Sequence, residues 1–220
     1  MKRRTAGFSF VEILVVMAII AVLATLAIAI IPRIQEGARQ TKSTDNVKQL
    51  VSYYIADGVG VKKSWPGYNG KSFTLWLVAF GKVDKRDDKQ LQLFFSPGDE
   101  KYGFDKPGTK EAMAALTRDS LRSENPDLWK LTSYAGRRNN TDGHRLTSDE
   151  LSRGALCLCD DDDGALHHPK GLVIGYTGGS ARFVEWDELD MSPPQDPKNP
   201  EGVLGDQSPN KDLQSMSSQN

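Results

Sequence analysis

Nineteen consecutive residues, Ile13 to Ile31, carry no charge and one polar side chain, Thr25. As a helix rising 1.5 Å per residue the run spans about 28 Å, close to the roughly 30 Å hydrocarbon core of a bilayer. Such a stretch excludes a simple cytosolic globule. Lys2, Arg3 and Arg4 stand just before it; bases on that flank predict a cytoplasmic N-terminus and a chain whose bulk lies outside. The remainder is ordinary: with 38% hydrophobic and 26% charged residues overall, the apolar run is a local feature and the rest can form a soluble head. Setting aside Glu12 and the three N-terminal bases leaves 25 basic and 28 acidic residues, without a basic stripe. No nucleic-acid partner is expected on that charge pattern. Two cysteines, Cys157 and Cys159, cannot supply a disulfide framework.

A stable anchor and a secretory signal both fit an apolar run of this kind. Ala27-Ile28-Ala29 would serve as a signal-peptidase site, releasing a soluble protein that starts at Ile30. Two features weigh against that. Ile30 and Ile31 prolong the run past the site, and Glu12 opens it. A carboxylate at the centre of a membrane helix costs on the order of 2.5–3.5 kcal/mol on insertion scales, and less near the end. A residue that costly marks a partner or a pathway.

Gly7-Phe8-Ser9-Phe10-Val11-Glu12, running straight into Ile13-Leu14-Val15-Val16, resembles the class III signal of the type IV pilin and type II secretion pseudopilin superfamily. The resemblance implies cleavage between Gly7 and Phe8 by a membrane prepilin peptidase, N-methylation of Phe8, and an assembly role for Glu12. It also implies partners: other pilin or pseudopilin subunits and inner-membrane assembly machinery. The location implied is single-pass in the bacterial inner membrane with the head outside the cytoplasm, then in an extracytoplasmic filament. In a filament, Glu12 of one subunit can neutralise the Phe8 amine of its neighbour, because a helix start favours a carboxylate and a buried ion needs a mate. Many relatives carry proline where this chain has Ala29; here Pro32 comes three residues later.

Beyond Pro32 the pattern remains helical. Ile34, Ala38, Thr41, Val47, Leu50, Val51 and Tyr54 recur at three- and four-residue spacing until Asp57-Gly58. The expected organisation is a leader over 1–7, a transmembrane helix over 8–31, an amphipathic continuation over 32–57, a head over 58–191 and a tail over 192–220. The fold class expected is α+β: a long N-terminal helix packed on a small antiparallel sheet. Within the head, Phe73–Phe80 is an apolar run that fits a short helix or a strand, with helix the favoured reading, and Glu111–Leu121 suits a short helix. Leu91–Phe95 and Trp129–Tyr134 read as strands. Leu172–Tyr176 and Ala181–Trp186 read as a hairpin turned at Thr177-Gly178-Gly179-Ser180. The tail, rich in Pro, Ser, Gln and Asn, is expected to be disordered.

Three clusters invite chemistry. Cys157 and Cys159 with His167 and His168 have the wrong spacing for a zinc knuckle. Asp160-Asp161-Asp162-Asp163-Gly164 offers oxygen ligands of the kind calcium takes, although without EF-hand spacing; major pseudopilins bind calcium in a C-terminal loop, so these four carboxylates are calcium candidates by that likeness. No other cofactor is expected. No nucleophile elbow, phosphate loop or H-E-x-x-H is present, and His144 lies in a polar stretch, so no enzymatic activity is expected. Trp65, Trp76, Trp129 and Trp186 read as packing residues. Finally, Ser133-Tyr134 and His168-Pro169-Lys170-Gly171 ahead of the hairpin resemble the "SY" and "H-x-G-G" motifs of pseudopilin-like heads, with Ser96-Pro97 where some relatives have Cys-Pro.

Overall fold

The computed structural model describes residues 9–56, 67–99, 101–122, 126–137, 156–159, 167–192, 203–204, 208, 210–214 and 216–217. Over these the chain is α+β, as expected: a long helix, several short ones and a five-stranded antiparallel sheet. It divides into two compact units, residues 1–38 and 39–220.

Helix α1 spans Phe10–Tyr54. In the first unit its large apolar side chains are exposed on every side, Ile13 at 54% and Leu23 at 59% among them. The described helix is long and apolar enough to cross a membrane. Thr25, the lone polar group of the run, donates its hydroxyl to the Val22 carbonyl at 2.7 Å. A group facing hydrocarbon needs such an internal partner. Pro32 sits inside α1 without ending it; the ring removes a single rung of the hydrogen-bond ladder there.

In the second unit, α1 buries Ser43, Asn46, Val47, Leu50, Val51 and Tyr54, the spacing of one helical face. Ile34, Ala38 and Thr41, which periodicity assigned to that face, are exposed; the buried stripe starts at Ser43. Above it lies the sheet, ordered β4-β3-β2-β1-β5 with β1 Ala135–Arg137, β2 Leu156–Cys159, β3 Gly171–Tyr176, β4 Ala181–Glu185 and β5 Met216–Ser217. The expected hairpin is β3–β4, in register from Gly171↔Glu185 to Gly175↔Ala181. Its turn is closed by Tyr176 N–H donating to Ser180 O at 2.8 Å, with Gly179 at φ 88°, a conformation that suits glycine. Alternation gives the sheet two apolar faces. Val173 and Phe183 join the main core with α1, whereas Leu172, Ile174 and Val184 point to a second cluster.

The helix expected at Phe73–Phe80 is present as Gly70–Ala79 and is buried almost throughout. Tyr54 stacks on Phe73 with ring centroids 4.8 Å apart. Its hydroxyl donates to Phe73 O and Thr74 O, each at 2.6 Å. The helix expected over Glu111–Leu121 is shorter, Thr109–Ala115.

Two expectations fail. Leu91–Phe95 is no strand: a helix covers Asp88–Gln92, started by Asp87, whose carboxylate accepts from Lys89 N–H at 2.9 Å. Local capping outweighs the short apolar run. Trp129–Tyr134 is no strand either. A 3-10 helix occupies Pro126–Leu131 and buries Leu128 and Leu131 at its three-residue repeat; extended pairing starts only at Ala135. The described residues of the tail carry the last elements. Lys211–Gln214 is helical, β5 pairs with β1, and Val203, Leu213 and Met216 are buried in the second cluster.

Candidate functional site

The features bearing on function sit at two places, the start of α1 and a buried polar cluster in the second unit. Ser9 precedes the first residue of α1, and its carbonyl accepts from Ile13 N–H at 3.3 Å. Glu12 lies in the first turn and reaches back: its Oε2 accepts from Ser9 N–H at 2.7 Å. Ser9-Phe10-Val11-Glu12 thus supplies the glutamate half of a capping box, which satisfies a donor that the helix start otherwise leaves open. The carboxylate also lies at the positive end of the helix dipole. It is solvent-exposed at the head of the exposed apolar surface. Gly7 and Phe8 lie outside the described residues.

In the second unit, residues far apart in sequence meet around α1. His168 Nε2 is 3.0 Å from Ser43 Oγ, which is 2.8 Å from Ser96 Oγ. One turn on, Asn46 donates to Phe95 O at 3.0 Å. Beside them the buried Asp99 carboxylate accepts from Lys101 N–H and Tyr102 N–H at 2.8 Å each and from Ser133 Oγ at 2.5 Å. His167 Nε2 stands 3.6 Å from the same carboxylate, with both side chains buried. Thr132 Oγ1 and Ser133 N–H both donate to Phe94 O. The Ser133-Tyr134, His168 and Ser96-Pro97 segments singled out in the sequence therefore converge on one cluster.

Ser133 gives its proton to Asp99, Ser43 stands beside His168, and Ser43, Ser96 and Ser133 are all buried, whereas a catalytic hydroxyl needs both an adjacent base and access. Buried hydrogen bonds join α1 to the Phe95–Ser96 segment and to His168, and tie Thr132 and Ser133 to Phe94 and Asp99, each member costly to orphan. Sequence reasoning missed Ser43, Asn46 and Asp99. The signal was available for two of them: Ser43 and Asn46 fall on the helical face that continues through Val47 and Leu50, where an unpaired polar group is not tolerated.

Of the remaining candidates, Cys157 and Cys159 lie on β2. His168 is within hydrogen-bond distance of Ser43, and His167 lies 3.6 Å from the Asp99 carboxylate. Among the described residues no group of three His, Cys, Asp or Glu side chains could hold a metal ion. Asp160, Asp161, Asp162, Asp163 and His144 fall outside the described residues, as do Trp65 and the side chain of Trp129. Trp76 and Trp186 are buried, as expected of packing residues.

An acid in the first turn of a long, exposed apolar helix is a pattern that fits an N-terminal membrane anchor. Residues 2–28 match the family model described as the prokaryotic N-terminal methylation motif, the hallmark of prepilin-type proteins. The chain carries a prepilin-type N-terminus, and its apolar helix fits a single-pass membrane anchor. No curated protein and no solved structure matches the chain.

Proposed function

We propose that this protein is a prepilin-like structural subunit assembled into a pilus or a type II secretion pseudopilus. Prepilin peptidase cuts between Gly7 and Phe8, and Phe8 is methylated. The apolar part of α1 holds the subunit in the inner membrane until it joins the filament, with the head outside the cytoplasm. Glu12 then pairs with the Phe8 amine of a neighbour and sets the axial register, since a charge removed from water needs its mate. Head-to-tail contacts of this kind do not close, so they propagate as a fibre. The observation that carries the reading is Glu12 in the first turn of an exposed apolar helix, inside the matched segment. Structural work, not catalysis, is the role we assign to the head.

Two measurements test this. The mature N-terminus, read by intact mass, is methyl-Phe8; a chain beginning at Ile30 identifies a secreted soluble protein and sinks the proposal. Glu12→Ala is cleaved normally yet gives no filaments in the sheared fraction, and a normal filament yield removes Glu12 from its role.

A further inference from the structure

The last 29 residues contain four large apolar side chains, Val203, Leu204, Leu213 and Met216. All four pack into the second cluster, against Leu172, Ile174, Val184, Trp186 and Leu189 on the sheet face turned away from the main core. Asn210 adds a polar pin, donating from Nδ2 to Leu189 O at 3.2 Å. The final strand then adds β5 to the free side of β1 through two residue pairs, Gly136↔Ser217 and Arg137↔Met216. The C-terminal segment is a strap, and the sheet face is its seat.

We infer that this strap is exchanged between subunits, so that the seat on one head is filled by the strap of the next copy of this chain. The inference rests on the filament reading above. Three observations favour exchange. Two residue pairs make a short strand with little backbone bonding to release, and β5 lies at a sheet edge, where strand addition from another chain is geometrically open. The span from Ser192 to Val203 reaches about 36–40 Å when extended, while a compact unit of this size has a radius of gyration of about 16 Å. The strap is therefore long enough to cross to a neighbour in contact. A swapped strap makes the same apolar contacts and the same strand pairs as an internal one, so exchange is a low-cost route to a linked assembly once copies lie side by side. The high local concentration in a filament removes the remaining advantage of the internal arrangement.

The test uses two full-length chains, each with Cys157→Ser and Cys159→Ser, one carrying Arg137→Cys and the other Met216→Cys, co-expressed with different tags. Exchange predicts a disulfide between the two chains on a non-reducing gel. Leu213→Asp in the second chain lowers that band about tenfold or more, because the seat cannot take an unpaired charge. A single chain carrying both Arg137→Cys and Met216→Cys reports that the β1–β5 register forms. Internal bonding in that chain, with no interchain bond between the singly substituted ones, overturns the inference. Should Arg137→Cys disturb the head, a photo-crosslinking residue at Leu213 in mixed light and 15N-labelled chains gives the same reading: mixed-isotope adducts on β3 or β4 support exchange, and uniform ones refute it. Filaments without interchain bonds defeat exchange and leave the filament reading intact. Interchain bonds without filaments do the reverse.

Discussion

Gly175→Ala tests the packing of sheet on helix most directly. A methyl built at Gly175 lies 2.6 Å from Val51 Cγ2 and 2.9 Å from Val47 Cγ1, with Leu158 Cβ at 3.4 Å. Both valines belong to the fully buried stripe of α1. A flexible side chain could swing away, but a β-branched residue on a helix has one favoured χ1 rotamer, so the clash passes to the backbone. Overpacking of this kind costs about 1–3 kcal/mol. For a unit of this size each kcal/mol moves the midpoint by about 2–4 °C, so melting should fall by roughly 2–12 °C. Gly37→Ala supplies a control of opposite sign: it sits in α1 with nothing within 4 Å of the added methyl, and helix propensity there favours alanine by about 0.8–1 kcal/mol. The assay is thermal unfolding of the full chain in detergent, followed by near-UV circular dichroism of the buried tryptophans. An unchanged or higher midpoint for Gly175→Ala refutes the close approach of β3 to α1.

Other outcomes follow from named contacts. Tyr54→Phe keeps the stacking on Phe73 but deletes a buried donor shared by two carbonyls; because those carbonyls also lie within the Gly70–Ala79 helix, the loss should be near about 1 kcal/mol by denaturant midpoint. Ser43→Ala removes one partner each of His168 and Ser96 in a buried setting and should cost about 1–3 kcal/mol in the same measurement. The hydrogen bond that Lys130 Nζ donates to Asp127 Oδ1 raises the Lys130 pKa above the ordinary lysine value; the small stabilisation this gives is fully present below that ordinary value and fades as pH rises through the folded one. An Asp127→Asn chain should show a lower Lys130 titration by NMR, and an unmoved one removes the pair from consideration.

Legibility in the sequence followed how local the determining physics is. The first part of α1 announces itself through an unbroken apolar run, and the β3–β4 hairpin through Thr177–Ser180 between two β-rich segments. Where two local signals competed, the weaker was easier to see: Leu91–Phe95 looks extended, yet Asp87 and Gln90 just ahead of it form a capping pair, with Gln90 Nε2 donating to Asp87 Oδ2 at 3.0 Å. In the tail, composition argues for disorder, while the seat taken by Val203, Leu204, Leu213 and Met216 is visible only once the sheet face is built. The polar cluster was the least legible, since Asp99, Ser133 and His167 gain meaning only from one another across the fold. At the N-terminus Glu12 stood out on cost alone, but its bond to Ser9 N–H needed coordinates.

His168 and Ser43 touch across 125 positions of chain. Synthesis runs from the N-terminus, so the greasy side of α1 at Val47, Leu50 and Val51 exists long before the strand that roofs it has been made. Contacts of such separation close slowly. A nascent copy of this protein therefore passes through a period with its inner face bare, and whatever shields that face until the strand arrives governs how much of it survives to fold.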